Sequence, residues 1–579
     1  MATLDIDRGK FYDPRIVQLK PKIAIQQGAL SISSAPFAAL SQSASQLSFQ
    51  IQTPSQGTFL DRRLTVTGTW TIRLDVQTTQ PANEPVLQLG RDAALCAYPL
   101  HSLFSTASVN LGDATITTNL AQSFQTLIRL LDSHKTRVGK TCPSALDVYA
   151  SYNDLAPAGG STQVHNSPLL GYGHAAYEEL NGASADIVFI DPVSGSELVG
   201  SGTYVFDGKT IHFTNGTPVI KAGVDAPAGN TYPLFFRITS SELLMVSPFQ
   251  YKEDQADSSG IFSLQNVAVT LNVQTPETAR LIRQTNVYGR EVVAQPTFFV
   301  APGQSSPWSK AEIHAQFLTP PLSLPLAPRS VVPYQEFVSY QYPYRVLPGE
   351  NVIAVSNTLS LPVIPEAIII TVTPVAYGPT EASWFLPIKA ITLSYSNMAG
   401  LLSSHTQTQL YRISAENGLN MTFSQWRGRA RAGYGGIVRT VGGPLVLAPG
   451  KDITLSEGEA PGLVSNTTVQ ATLTVDNNYS MGPRECMVTI MCINSGFVVS
   501  ERGQSRILRG LVTQSDVLAA PMIGTNSDMG KLVGRGVTDK LANAYTKARD
   551  FVNGPMPKAV KEVANAVKTA VTDLAHRIY

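Results

Sequence analysis

The chain has 579 residues, a formal net charge of +1 and only 15% charged residues. That length exceeds one ordinary core and predicts three or four domains at about 150 residues each, or two larger β-domains with extras. The near-zero charge excludes a global field for nucleic acid or an anionic membrane. The charge content lies below the roughly 25% usual for soluble domains.

A surface poor in Lys and Glu suits a subunit covered by neighbours, from which those residues are depleted, and it also suits a weakly charged secreted β-protein; the first is preferred. The four cysteines, Cys96, Cys142, Cys486 and Cys492, form no CxxC, and the last two share one face of an expected strand, so they read as reduced, buried thiols. The N-terminal MATLDIDRGKFYDPR lacks the apolar stretch of a signal peptide, and no run approaches the ~20 apolar residues of a membrane span. Synthesis in the cytoplasm is expected, leaving the sequons at Asn215, Asn420, Asn466 and Asn478 unglycosylated.

Residues 1–45 read as an N-terminal arm, and regular β-structure is expected from Gln46. Gln46–Thr53 alternates through Leu47, Phe49 and Ile51, and Leu64–Val76 through Val66, Trp70, Ile72, Leu74 and Val76. In Asn119–His134 the apolar residues Leu120, Phe124, Leu127/Ile128 and Leu131 recur at helical steps, predicting one amphipathic helix. The glycine-rich stretch 140–200 reads as a long surface or functional loop. Strands are expected at Ala185–Ile190, Gly202–Phe206, Thr210–Thr214, Leu234–Thr239, Glu242–Val246 and Gly260–Val273, then a short helix at Pro276–Gln284.

Eight prolines between Gln295 and Pro333 predict an extended connection over 301–333, after a first block at 46–300. A second β-block at 334–520 has expected strands near Glu336–Val346, Gln407–Ser414, Gly435–Thr440, Val469–Val475, Met487–Cys492 and Gly496–Ser500. Within it, Asn357–Pro362, Ala367–Thr373 and Ile388–Ser396 are strand candidates, and the β-branched Ala367–Thr373 reads as covered on both faces. Two blocks of short alternating strands indicate sandwiches rather than a parallel α/β sheet.

The segment 521–579 reads as a basic amphipathic helical tail, split by Gly554-Pro-Met-Pro557, with a stripe of Val560, Val563, Val567, Val571, Leu574 and Ile578. From Lys531 onward nine basic residues face four acids, a local charge near +5. Its cations include Lys540, Lys547, Arg549, Lys558, Lys561, Lys568 and Arg577, a candidate face toward a particle interior, a membrane or a minor protein. Docking of the tail on its own subunit or a neighbour is the competing expectation.

Motifs for chemistry are missing. Gly139-Lys140-Thr141 ends like a phosphate-binding loop, but His134 stands where the first glycine belongs and the preceding segment reads as helix. The eight histidines are dispersed without metal-ligand spacing, so no catalytic residue, metal or cofactor is expected. Arg427-Gly-Arg429-Ala-Arg431 is the densest basic cluster. It reads either as a phosphate-contacting site or, preferentially, as a turn paired with acids or neighbouring subunits.

Several ordered stretches resemble one family, the double jelly-roll major capsid proteins of eukaryotic double-stranded DNA viruses, especially the polinton-like, adintovirus and virophage relatives. They are QTPSQGTFLDRR (52–63) with LTVTG after it, SELLMVSPF (241–249), GIFSLQN (260–266), SNTLSLPVIP (356–365), FLPIK (385–389), QLYRISAENG (409–418) and GGPLVLAPGKDI (442–453). The likeness runs over about residues 45–520, and neither the 140–230 loops nor the basic tail takes part in it.

The resemblance implies an all-β fold of two tandem eight-stranded jelly-roll sandwiches. It further implies a homotrimeric, pseudo-hexagonal capsomer, an icosahedral shell, contacts with neighbouring capsomers, penton and minor capsid proteins, and residence in the virion without sequence-specific nucleic acid binding. Termini are then expected near the interior and the long loops on the outward turret. An alternative from another class is a receptor- or glycan-binding β-sandwich of the spike or lectin kind, whose loop aromatics would include Tyr149, Tyr152, Tyr172 and Tyr177. A β-sandwich hydrolase is the least favoured class.

Overall fold

The computed structural model describes residues 28–510, apart from 56, 79–86, 88, 90–91, 132–138, 143, 153–186, 215–216, 221–230, 250–259, 286–289, 293–294, 323–328, 432–436 and 478–482. Its first half is a sandwich of eight principal strands: β1 (Ser31–Ala38), β2 (Gln46–Gln52), β3 (Thr65–Thr78), β4 (Phe104–Leu111), β5 (Ala114–Asn119), β6 (Thr231–Leu243), β7 (Asn266–Val273) and β8 (Trp308–Thr319). One sheet runs β1-β8-β3-β6 and the other β2-β7-β4-β5, all antiparallel. Alternation builds the core: Leu47, Phe49 and Ile51 of β2 face Val66, Trp70, Ile72 and Leu74 of β3, all at most 1% exposed.

The second half repeats this order without sequence repetition. Its strands are β9 (Arg329–Val346), β10 (Gly349–Val355), β11 (Ala367–Pro374), β12 (Ile388–Tyr395), β13 (Met398–Leu401), β14 (Leu445–Leu447), β15 (Val464–Asn477) and β16 (Arg484–Glu501). They form sheets β9-β16-β11-β14 and β10-β15-β12-β13, with Leu359–Val363 extending the second along β15. Both halves are therefore jelly rolls, and each carries a helix after its fifth strand: α2 (Leu120–Leu127) after β5, and α3 (Gln407–Glu416) followed by α4 (Phe423–Trp426) after β13. A short α1 (Pro99–Leu103) precedes β4.

The sandwiches stand in the same direction. Ser31 pairs with Thr319 and Arg329 with Glu501, so β1 and β9 begin, and β8 and β16 end, at one pole, the foot. The long loops containing α1 to α4 gather at the other pole. At the foot Ser500 Oγ donates to the Phe262 carbonyl (2.7 Å) and Arg502 N–H to Ser263 Oγ (2.7 Å), tying the two halves together.

Several expectations are corrected. The arm is not free of structure: Ser31–Ala38 is β1 and Ser41–Gln42 pairs with β2. Its mostly exposed, serine-rich edge position leaves no alternation to read. The expected connection over 301–333 contains β8, whose Ala311, Ile313, Ala315 and Phe317 are buried; Pro307 and Pro320 bracket the strand rather than interrupt it. Pro333 sits inside β9, which is an edge strand and does not need that N–H.

Gln407–Ser414 is helix, because Thr406 and Gln409 form a reciprocal capping box and Leu410 and Ser414 face inward one turn apart. The expected helix at Pro276–Gln284 is a run of turns ending in Ile282–Gln284, which pairs with Ala93–Leu95. Of Asn119–Leu131, the described part of the expected Asn119–His134 helix, only Leu120–Leu127 is helical, and Met487–Cys492 and Gly496–Ser500 belong to one strand, β16. Ala367–Thr373 is buried at every position except Thr373, which is half-buried. The expected 521–579 helix lies outside the described residues.

Candidate functional site: the joint between the sandwiches and the loop pole

At the loop pole, residues 146–152 leave the first sandwich and thread into the second. Val148 O accepts from Val441 N–H (3.0 Å), Ala150 N–H donates to Arg439 O (3.2 Å), Ala382 N–H to Ala150 O (2.9 Å), and Tyr152 N–H to Thr380 O (2.8 Å). This segment thus lies between 380–382 and 439–441 as an added strand. Leu127, Ala150 and Tyr152 count among the buried apolar residues of the second core, although the first half of the chain supplies them.

Charged groups converge around this strand. Tyr152 OH donates to Asp147 Oδ1 (2.6 Å), Arg129 to Asp147 O (3.0 Å), and Arg283 Nε lies 3.7 Å from Asp147 Oδ2. Arg280 stacks on the Tyr377 ring (4.6 Å to its centroid) and donates to the carbonyls of Gly378 (3.2 Å) and Glu381. Arg484 grips Glu381 with two nitrogens, at 2.6 and 3.1 Å. Burial acts to raise the Glu381 carboxyl, but the Arg484 hydrogen bonds, the Gly378 N–H and the Arg484 and Arg280 charges together hold it below its ordinary value. Burial pulls Arg280 down to about 10, aided by the like charge of Arg283.

A second buried group braces α1. Glu242, on β6, accepts from Leu100 N–H (2.8 Å), His101 N–H (3.0 Å), Ser240 Oγ (3.0 Å) and His101 Nδ1 (2.6 Å). Met245 N–H donates to His101 Nε2 (3.0 Å), so the imidazole proton resides on Nδ1. His101 and Glu242 are both fully enclosed, and the imidazole stacks on Phe124 at 5.0 Å. Such a pair resembles a catalytic dyad in composition, but it has no access to substrate and every donor is spent on positioning backbone.

The sequence candidates fall apart in space. Lys140 donates to the carbonyls of Cys142 (2.7 Å) and Ser144 and lies over the Tyr98 ring, so the phosphate-loop likeness has no free lysine behind it. All four cysteines are reduced and buried, and burial pushes the Cys142 and Cys492 thiols up to about 12. No metal-ligating group of three and no helix long and apolar enough to cross a membrane occurs among the described residues. Of the loop tyrosines, Tyr152 is buried in the joint, Tyr149 is half-buried, and Tyr172 and Tyr177 lie outside the described residues.

Arg429 and Arg431 lie on a two-stranded ribbon, Arg429–Arg431 against Ile437–Arg439. Arg429 stands opposite Arg439 and Arg431 opposite Ile437, one outward face carrying three arginines while Val438 turns inward. Arg427 Nε donates to Arg429 O (2.9 Å) and its guanidinium covers Phe423. The ribbon belongs to the loop pole, opposite the foot from which the chain leaves toward residues 27 and 511. The tail cations Lys540, Lys547, Arg549, Lys558, Lys561, Lys568 and Arg577 lie outside the described residues. The joint itself was not singled out in the sequence, since its charges come from five distant segments.

Comparisons with known proteins agree with this architecture. Residues 5–318 match the family model described as Sputnik virophage major capsid protein 1st domain, and residues 334–496 match Major capsid protein V20 C-terminal domain. The chain is 25% identical over 516 residues to the capsid protein V20 of Sputnik virophage, covering 86% of this chain and 78% of that protein. In fold it is similar to a chain of the Sputnik virophage cryo-EM structure (TM-score 0.67, 21% identity, 92% of this chain and 99% of that one). It is also similar to the mavirus major capsid protein (TM-score 0.59, 15% identity, 91% and 98%).

Proposed function

Because the chain belongs to the virophage major capsid protein family, we propose that it builds an icosahedral shell from homotrimeric, pseudo-hexagonal capsomers. Its role is structural and not enzymatic, and its place is the virion capsid, where it associates with copies of itself. The observation that carries the trimer is the doubled sandwich: two barrels with one strand order, standing in the same direction and fastened at both poles. Three such subunits would offer six similar barrels, close to the symmetry of a hexagonal tile. The low charge content suits the extensive covered surface this requires.

Finer partners follow from the same reading. Neighbouring capsomers, pentons and minor proteins would contact the sides and foot. With synthesis in the host cytoplasm, and with the described residues ending at Gly510 near the foot, the basic tail would face the interior, against an internal membrane or a minor protein. Arg427, Arg429 and Arg431, at the opposite pole, would then meet anionic groups outside the shell or on an adjacent subunit rather than packaged nucleic acid. Analytical ultracentrifugation of the purified protein tests the trimer: a single species of three chains, with interfaces above the ~2,000 Å² typical of obligate contacts, is expected. A stable monomer at micromolar concentration would oppose it. For the tail, full-length protein should co-sediment with anionic liposomes and lose this on replacement of Lys558, Lys561 and Lys568 by Gln; indifference to lipid would remove the membrane contact.

A further inference from the structure

We infer that the joint between the two sandwiches binds one halide-sized monovalent anion, held by Arg129 and Arg283. Both side chains are buried, at 6% and 4% exposure, and both line one small cavity beside Asp147, Gln125, Ser102 and Phe124. The space has room for no more than one small occupant.

Two observations point to an acceptor there. The Nε–H groups of Arg129 and Arg283 are both buried without a hydrogen-bond partner, the latter standing 3.7 Å from Asp147 Oδ2, beyond hydrogen-bond reach. Buried N–H donors are almost always satisfied, so an unseen acceptor is the economical explanation.

The second observation is charge. Among the described residues, the charged groups lining the cavity are Arg129 and Arg283 against Asp147, and on the adjoining strand stand Arg280 and Arg484 against Glu381. Glu381 is committed to Arg484, and the described partners of Arg280 are carbonyls and an aromatic face, so among the described residues the cavity lining carries an excess of one positive charge and Arg280 adds a second beside it. Burial pushes the Arg129 guanidinium below its ordinary value, and Asp147 offsets this only in part. Lys140 and Glu242 lie beyond, each occupied by its own partners. A water in the cavity would satisfy the N–H groups and leave the excess charge; a chloride answers both, since a buried cation needs a counter-charge. The bound ion would tie the turn after α2 in the first sandwich to the 280–283 segment that reaches the second, making the stability of the joint depend on the anion supplied.

Crystals of the full-length protein grown in sodium bromide, with data collected at the bromine absorption edge, test this directly. The expected result is an anomalous peak within hydrogen-bonding distance of both Nε atoms; a water-like feature without anomalous signal, or an empty cavity, would overturn it. Thermal unfolding in chloride against gluconate at equal ionic strength supplies a second measurement. Chloride at ten times its Kd should raise the folded-to-unfolded ratio about 11-fold. Identical stability in the two salts would also overturn the assignment.

Discussion

Glu381 and Glu242 are the two carboxylates on which the loop pole most depends, and they fail in different ways. Glu381 is held below its ordinary value in the folded protein, so its stabilisation is complete above the unfolded carboxylate range and is lost as pH falls through the folded value. Its half-exposed position screens part of the effect. The prediction is that Glu381→Gln lowers stability at pH 7 and that the gap from wild type narrows below about pH 4, measured by urea denaturation across pH. Glu336, whose carboxyl is raised by burial against the pull of Arg509, works in the opposite sense, and for that reason only the difference between variant and wild type is diagnostic. Glu242 has no solvent contact, so Glu242→Leu strands four donors at once. A loss of about 3 kcal/mol in the free energy of unfolding is expected, measured by urea denaturation and within the range for breaking a buried charged contact.

Among elements, the strand formed by 148–152 bears most on function, because it makes two sandwiches into one block. Removing its anchor, Tyr152→Ala, should cost about 3–5 kcal/mol as for other large buried aromatics. Calorimetry would show the sandwiches melting separately where the wild type melts as one. Gly442 sets the return of the neighbouring strand: its φ is +68°, and a Cβ there would stand 2.2 Å from Phe385 O. Gly442→Ala should therefore disturb the 439–441 side of the joint and lower the melting temperature by several degrees.

Sequence made the central strands visible, since Leu47/Phe49/Ile51 and Val267/Val269/Leu271 alternate plainly on one face. It failed at β1, an exposed edge, and at β8, where flanking prolines outweighed a sound alternation of Ala311, Ile313, Ala315 and Phe317. It failed at α3 because a few apolar residues fit two periods, and the signal that decides for helix is the Thr406–Gln409 capping box.

On the scale of the whole molecule, ordered framework stretches were enough to indicate the doubled sandwich, yet the joint was invisible. Arg129, Asp147, Arg283, Glu381 and Arg484 are scattered over more than three hundred residues, and only the fold brings them together. The polar direction of the molecule was likewise hidden, and with it the place of the arginine ribbon at the loop pole. The central claim is that this rigid, two-barrel block is a shell subunit. Electron microscopy of the purified full-length protein, at concentrations and salt that favour assembly, tests it most directly. Trimers of hexagonal outline, forming tiles or closed icosahedral particles, are the predicted result; dispersed single chains that form no trimer under any such condition would contradict it.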